Sequence, residues 1–147
     1  MGTQKFNITE TRKKTKNLFP STIETPLYNK TPVFSFKFYC HDHEKYSAKC
    51  FKNIKEFHRL FSTFKNMGSL KWKEIILDRD WHAHEITWTK TSEPSGFRNL
   101  PDEVKNFPPF QFKAFIEDCR IIGFFNRDNV FEIVWFDRYH NVYPFKD

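Results

Sequence analysis

The stretch that decides the fold is RIIGFF at residues 120–125, NRDN at residues 126–129 and VFEIVWF at residues 130–136. The two outer runs are rich in β-branched and aromatic residues, which favour strands, and the middle run has the chemistry of a tight turn. The pattern therefore predicts a β-hairpin. A third strand is predicted over residues 111–118, where apolar and polar side chains alternate. Together these strands form a predicted three-stranded antiparallel meander.

A single strand is predicted well before the meander, over residues 33–39. Phe34, Phe36 and Phe38 occupy alternate positions there, so we expect all three rings on the same buried side. Residues 92–110 contain four prolines, which predicts a long connection with one helical turn near residues 101–106.

Two helices are predicted between that strand and the meander. Asn53 has the chemistry of an N-cap and Gly68 that of a C-cap. Between them, apolar residues recur at helical spacing and predict a stripe facing the core: Ile54, Phe57, Leu60, Phe61 and Phe64. A second helix is predicted after Ser69, with Trp72 on its apolar face. This order of elements predicts an α+β fold, one sheet with the helices packed on one face.

The chain divides into a predicted leader, residues 1–32, and a single α+β domain, residues 33–147. Pro20, Pro26 and Pro32 recur in the leader at six-residue spacing, a composition that disfavours helix. The formal net charge is +6, and residues 1–30 contribute six Lys or Arg against two Glu, or +4 of it. A basic leader suits nucleic acid or an acidic partner, and it equally suits a solvated tail.

Several classes of protein are not expected from the composition. No apolar run approaches the roughly 20 residues that a membrane helix needs, and the N-terminus lacks the apolar core of a signal peptide. The three cysteines are widely spaced without a CxxC pair, which predicts free thiols and a cytoplasmic protein. With four glycines and no phosphate-binding loop, the chain predicts no nucleotide cofactor.

Polar and titratable side chains follow the last strand directly, in the run DRYHNVY at residues 137–143. Counting back across the turn places Arg120 near residues 135–137, at the same end of the sheet, with Lys113 and Glu117 on the adjacent strand. A phosphoryl-transfer site without metal needs a base, an acid and a cation. The spacing predicts that such groups meet at this end.

This pattern resembles the RelE/YoeB-type toxins of the RelE/ParE superfamily. The resemblance lies in the order of elements, in the arginine that opens the middle C-terminal strand, and in the His- and Tyr-bearing end after the last strand. It implies a small cytoplasmic endoribonuclease that cuts mRNA on the ribosome through the RNA's own 2′-hydroxyl, without a metal or cofactor. It also implies an antitoxin protein as partner.

The same resemblance implies roles for individual residues. Arg120 would hold the scissile phosphate, His140 would act as general acid or base, and Tyr143 would stack on or orient the RNA. Glu117 or Lys113 would complete the proton relay. By the same resemblance Arg138 would be a second phosphate contact. Lys113 and Tyr139 are further candidates for RNA contact. Apart from the resemblance, Lys71 and Lys73 alternate with Trp72, a pattern that favours base stacking and phosphate contacts.

Each of these assignments has a structural alternative. Arg120 can pair with Asp137 or Glu132 across the sheet, and Asp137 can cap a turn with its carboxylate. Tyr139 and Tyr143 can cover an aromatic core, since the chain contains nineteen Phe. Trp72 can be the buried side of an amphipathic helix, with Lys71 and Lys73 solvated beside it.

Two HxH pairs, His41 with His43 and His82 with His84, are weak candidates for a zinc site, with Cys40 or Asp42 in support. The alternative is polar loop histidines at strand ends, of which His82 or His84 would line an RNA groove. No CxxC or HExxH motif accompanies them, so no bound metal is predicted.

Two functions follow from the sequence. The first is a metal-independent endoribonuclease of RelE type. The second is a non-catalytic module of a mobile-element or defence system that binds nucleic acid or protein.

Overall fold

The computed structural model describes residues 25–144, with side chains from Leu27 onward. One mixed sheet contains five strands: β1 (Phe34–Ser35), β2 (His84–Glu85), β3 (Pro109–Lys113), β4 (Arg120–Phe125) and β5 (Phe131–Asp137). Its strand order is β1-β5-β4-β3-β2, with β1 parallel to β5 and the other pairs antiparallel. The helices are α1 (Thr25–Tyr28), α2 (Ile54–Met67), α3 (Trp72–Leu77) and α4 (Asp102–Lys105). The predicted α+β fold is confirmed.

The leader was only partly predictable. Residues 1–24 lie outside the described residues. Helix α1 forms at the end of the leader, where the prolines predicted none, because Pro26 falls in the first helical turn, where its missing N–H costs no hydrogen bond.

The hairpin of β4 and β5 is confirmed, and its turn is closed by local hydrogen bonds. The Asn126 side-chain oxygen accepts from the backbone N–H of Asp128 at 2.8 Å and of Val130 at 3.1 Å. Asn129 adopts the left-handed backbone conformation that asparagine tolerates well, with φ 63°.

A β-bulge interrupts the hairpin. Ile122 pairs with Trp135 but Gly123 pairs with Ile133, so Val134 is an extra residue on β5. The Val134 carbonyl accepts a hydrogen bond from the backbone N–H of Cys40 at 3.0 Å, which ties the chain after β1 to the sheet. A Cβ on Gly123 would lie 1.8 Å from the Glu132 carbonyl oxygen. The bulge therefore requires glycine at residue 123.

The two faces of the sheet are covered differently. Helices α2 and α3 pack on one face, through side chains such as Leu60, Met67, Trp72 and Ile75. The other face is covered mainly by loops, and its buried cluster consists of Tyr46, Ile86, Phe97, Val104, Ile122, Phe124, Val134, Trp135 and Val142. The prediction that both helices pack on one face is confirmed, while the loop layer was not predicted.

The first strand is much shorter than predicted. After Ser35 the chain makes a turn in which the N–H of Tyr39 donates to the Phe36 carbonyl at 3.1 Å. As a result Phe34 packs on the helical face, Phe36 is exposed, and Phe38 contacts Phe124 on the loop-covered face. The prediction that the three rings share one side is wrong.

The first strand of the meander also ends early. Strand β3 stops at Lys113, and residues 114–119 form a tight loop closed by a hydrogen bond from the N–H of Ala114 to the Cys119 carbonyl, at 3.0 Å. Phe115 and Glu117 have positive φ angles of 50° and 51°, which no strand residue adopts. The strand predicted over residues 111–118 therefore ends at Lys113.

Helix α2 begins and ends as predicted, and its predicted stripe is partly confirmed, since Phe57, Leu60 and Phe64 pack against the core. The Asn53 side chain accepts from the N–H of Glu56 at 3.2 Å, which confirms the N-cap, and Gly68 follows the last helical residue. Ile54 and Phe61 are exposed, contrary to the predicted stripe, while Leu60 is buried as expected.

The remaining elements agree with their predictions. Helix α4 is the predicted helical turn in the long connection, and Trp72 is the buried side of α3. All three cysteines are free thiols. None of the helices in residues 25–144 combines the length and apolarity that a bilayer crossing requires.

The bulge generates a stability prediction. Gly123→Ala should lower the free energy of unfolding by about 3 kcal/mol or more, because the added methyl group overlaps a backbone oxygen that cannot move without breaking the sheet. Denaturant unfolding would measure the change. Gly68→Ala is the matched control: its Cβ would lie 3.2 Å from the nearest atom at a φ of −64°, so its effect should stay within about 1 kcal/mol. Equal effects of the two substitutions would contradict the bulge geometry.

Candidate functional site

Most of the predicted site residues meet at the end of the β4-β5 hairpin that lies opposite its turn, while Tyr143, Lys71 and Lys73 lie elsewhere. Arg120 pairs in register with Lys113 on one side and Asp137 on the other. His140 follows in a turn, where its N–H approaches the Asp137 carbonyl at 3.4 Å and its φ is 57°. The register arithmetic made from the sequence thus placed these groups at a common rim.

Arg120 points into the protein at this rim. Its side chain is only 5% exposed, and its Nη1 donates to the carbonyls of Asp118 at 3.0 Å and Cys119 at 3.4 Å. The guanidinium therefore fastens the tight loop before β4 to the start of that strand. In this arrangement it is not presented to a phosphate in solvent.

Asp137 is fully buried and caps the turn that follows β5. One carboxylate oxygen accepts from the N–H of Asn141 at 2.7 Å and the other from the N–H of Val142 at 2.8 Å. Burial raises the pKa of Asp137, while these two hydrogen bonds and the charge of Arg120 oppose that shift. The capping alternative for Asp137 is confirmed.

Arg138 forms a buried ion pair with Glu56 of helix α2. Its Nε donates to one carboxylate oxygen at 2.9 Å and its Nη2 to the other at 2.6 Å, which is the two-pronged geometry of strong arginine–carboxylate pairs. Nη2 also lies 3.3 Å from the Glu117 carboxylate. The hydrogen bonds from Arg138 lower the pKa of Glu56 to about 2. The pair attaches the start of α2 to the end of β5.

The exposed part of the rim consists of aromatic rings with cations beside them. Tyr139 is 48% exposed, and its ring lies 4.8 Å from the Arg138 guanidinium and 5.8 Å from the Lys52 ammonium. Phe115 is 39% exposed, with the Lys113 ammonium 5.2 Å from its ring. We call this surface, together with the half-buried His140, the rim surface: Lys52, Lys113, Phe115, Tyr139 and His140.

Tyr143 belongs to the loop layer. Its hydroxyl accepts from the N–H of Thr87 at 3.1 Å, and its ring lies 5.8 Å from the ring of His84. It is partly buried against the cluster of the loop-covered face. This position agrees with the alternative that Tyr143 covers the aromatic core.

Lys71 and Lys73 lie at the far end of the sheet. Trp72 between them contacts Phe125 and Phe131, the residues that flank the hairpin turn. Strand β4 separates that turn from Arg120 by five residue steps, roughly 17 Å at the usual rise of a strand. The two lysines are exposed and do not belong to the rim surface.

The histidine pairs are dispersed. His43 accepts hydrogen bonds from two backbone N–H groups of its own loop, and its ring contacts Tyr46 and Trp135. His84 bonds to the side chain of Gln111 at 3.0 Å. His41 and His82 are exposed on separate turns. Within residues 25–144 no group of three or more His, Cys, Asp or Glu side chains is arranged to hold a metal ion.

Comparisons with family models, with curated proteins and with solved structures found no match for this chain. The resemblance to RelE-type toxins therefore stays a prediction that rests on the order of elements and on the residues after the hairpin. Three participants at the rim were not found from the sequence: Glu56, Lys52 and Phe115. A carboxylate three residues after the N-cap was a signal for Glu56, since this position often bonds back to the helix start.

The ion pair generates a prediction about stability and pH. Glu56→Gln should lower the free energy of unfolding by about 3 kcal/mol at neutral pH, because it leaves the Arg138 charge buried without its partner. The pKa of Glu56 is depressed from 4.5 to about 2, so the pair stabilises the fold above pH 4.5 and the stabilisation is lost as the pH falls toward 2. The difference between wild type and variant should therefore shrink over this interval in denaturant titrations.

Glu117→Gln is the matched control for that experiment. The Glu117 side chain is 63% exposed, so water screens its contact with Arg138 and its loss should cost less than about 1 kcal/mol. If the free energies of unfolding of wild type and Glu56→Gln differ by the same amount from pH 5 to pH 2, the assignment of a depressed pKa to Glu56 is contradicted.

Proposed function

We propose that this chain is a module that binds single-stranded RNA through the rim surface. The observation that carries the proposal is the exposed ring of Tyr139, which lies beside the buried Arg138–Glu56 pair and is flanked by Lys52. Bases stack on exposed aromatic rings, and lysines beside the rings neutralise the phosphates between those bases. Phe115 with Lys113 offers a second ring and cation of the same kind.

Binding without turnover is the function that this geometry favours. A catalytic phosphate site needs cations in contact with the scissile group. Both arginines of the rim are buried and donate hydrogen bonds to protein oxygens, Arg120 to backbone carbonyls and Arg138 to Glu56. Their placement supports a structural role for each arginine. Lys52 and Lys113 are then the cations that would contact the RNA phosphates.

Endoribonuclease activity is the second candidate, because His140 lies at the same rim as Arg120 and beside Tyr139. Imidazole exchanges protons near neutral pH, so His140 would take the proton of a 2′-hydroxyl or give one to the leaving 5′-oxygen. The resemblance to RelE-type toxins supplies the rest of this candidate: mRNA as substrate, the ribosome as its setting, the cytoplasm as location and an antitoxin as partner.

RNA binding is tested by fluorescence anisotropy with a labelled oligouridine. Tyr139→Ala should weaken binding by about 1–3 kcal/mol, or roughly fivefold to a hundredfold, because one stacking platform is lost. Tyr139→Phe should bind as wild type does, since the ring is kept. Lys52→Ala should make the slope of the logarithm of the binding constant against the logarithm of the salt concentration shallower by about 0.7. This is the value expected for one phosphate contact on a single strand.

Lys73→Ala is the matched control, an exposed lysine at the opposite end of the sheet, and it should leave both affinity and slope unchanged. If Tyr139→Ala binds the oligouridine as tightly as wild type does, the proposal that the rim surface binds RNA is contradicted. A single-stranded DNA of the same sequence, run in parallel, reports whether the module prefers RNA.

Cleavage is tested by incubating the protein with RNA, and with translating ribosomes, in the presence of a chelator. If the second candidate holds, His140→Asn should slow cleavage by about 10²–10⁴-fold while RNA binding persists. Asparagine is chosen because it tolerates the positive φ of this position. His41→Asn is the control, an exposed histidine on a different loop. Absence of cleavage by the wild-type protein under both conditions would eliminate the nuclease and leave binding.

A further inference from the structure

The outer side of helix α2 carries a second apolar stripe that the fold does not use. Ile54 is 80% exposed and Phe61 is 67% exposed, the two largest values among the exposed large apolar side chains of the described residues. They are seven residues apart, which is two helical turns, so they lie in line on one side with His58 between them.

The core contacts of α2 lie on the other side of the helix. Leu60, Thr63 and Met67 are buried against the sheet, and the Thr63 hydroxyl contacts the Ala114 carbonyl at 2.7 Å. Helical geometry places Thr63 opposite Ile54 and Phe61, and Leu60 and Met67 roughly 100° or more around the helix from them. Ile54 and Phe61 are therefore not part of the core clusters of the described residues.

Positive charges lie beside this stripe. Lys55, Arg59 and Lys65 are exposed on α2, and a shallow depression is lined by Ile54, Lys55, His58 and Arg59. The acidic residue of this helix, Glu56, is buried under Arg138 and does not offset them at the surface. The outer side of α2 thus has an apolar line, with Lys55 and Arg59 on one flank and Lys65 one turn beyond Phe61. A helix with two apolar sides is typical of one that packs against a second helix.

The charge of this surface selects among possible occupants. Residues 1–24 carry five Lys or Arg against two Glu, so the chain's own leader has the wrong sign to cover it. A second copy of the chain would set one basic α2 against another. Nucleic acid would neutralise the cations and stack on the Phe61 ring, but it would leave the aliphatic side chain of Ile54, the more exposed of the two, in water.

We propose that the outer side of α2 binds an acidic amphipathic helix of a partner protein. Leucine-like side chains of that helix, spaced at i, i+4 and i+7, would cover Ile54 and Phe61, and its carboxylates would face Lys55, Arg59 and Lys65. This surface excludes the ring of Tyr139, so the proposal does not rest on RNA binding at the rim surface and the two fail separately.

The probe is a synthetic peptide of about 15 residues, the length at which isolated helices begin to be stable, with leucines at i, i+4, i+7 and i+11 and mostly glutamates elsewhere. Its affinity for the full chain is measured by isothermal titration calorimetry. The double variant Ile54→Ser/Phe61→Ser should bind at least about tenfold more weakly, because two apolar contacts are lost. Both side chains are exposed, so thermal unfolding of this variant should match wild type.

Three controls isolate the two parts of the proposal. Val33→Ser/Leu77→Ser, an exposed apolar pair outside α2, should bind the peptide as wild type does. A scrambled peptide of the same composition should bind more weakly, since its leucines no longer share a side. Charge reversal by Lys55→Glu/Arg59→Glu should abolish binding of the glutamate peptide and permit binding of its lysine counterpart.

The proposal is overturned by any of three results. These are no detectable binding of the glutamate peptide, equal affinity of the Ile54→Ser/Phe61→Ser variant, or equal affinity of the scrambled peptide. Loss of oligouridine binding in that same variant would assign the surface to nucleic acid, and loss of a wild-type dimer in sedimentation would assign it to a second copy of the chain. Both would also overturn the acidic-helix partner.

Discussion

The arrangement of this molecule depends on the buried ion pair between Glu56 and Arg138. Arg138 follows the last residue of the longest strand and Glu56 lies in the first turn of the longest helix, so one two-pronged contact fixes the helix to the end of the sheet. Removal of a partner from such a pair is costly because the remaining charge stays buried. The paired Arg138 guanidinium also lies 4.8 Å from the exposed ring of Tyr139, whose hydroxyl donates to the Cys50 carbonyl at 3.4 Å.

The two faces of the sheet behind this rim are covered by different layers. On one side the helices supply an aromatic and aliphatic core, and on the other a layer of loops is attached to the backbone of β5. The bulge at Gly123 makes this possible, since the extra residue Val134 offers its carbonyl to the chain after β1. A hydrogen bond from the N–H of Phe136 to the Tyr46 carbonyl at 2.9 Å attaches the same layer nearer the rim. Two backbone hydrogen bonds therefore hold the loop layer on β5, the strand that leads into the rim surface.

The features that the sequence predicted correctly are those set by neighbouring residues. The hairpin turn and the N-cap at Asn53 are local hydrogen-bonding patterns, and the register that brings Arg120 to Asp137 follows by counting from the turn. The failures have non-local causes. Periodicity alone predicted that Ile54 and Phe61 face the core. In the structure Glu56 is buried against Arg138, and Ile54 and Phe61 are exposed. The resemblance implied that Arg120 holds a phosphate, but the loop before β4 places the carbonyls of Asp118 and Cys119 within its reach, and no periodic signal encodes that loop.

The most direct test of the central claim is a carbon-13 NMR titration of the Glu56 carboxyl group in the folded protein. A side chain held by two hydrogen bonds from a buried guanidinium should stay ionised far into acid, so the account predicts a pKa of about 2. A pKa near the ordinary value of 4.5 would show that Glu56 is solvated rather than paired. In that case neither the attachment of α2 nor the paired guanidinium beside Tyr139 would stand.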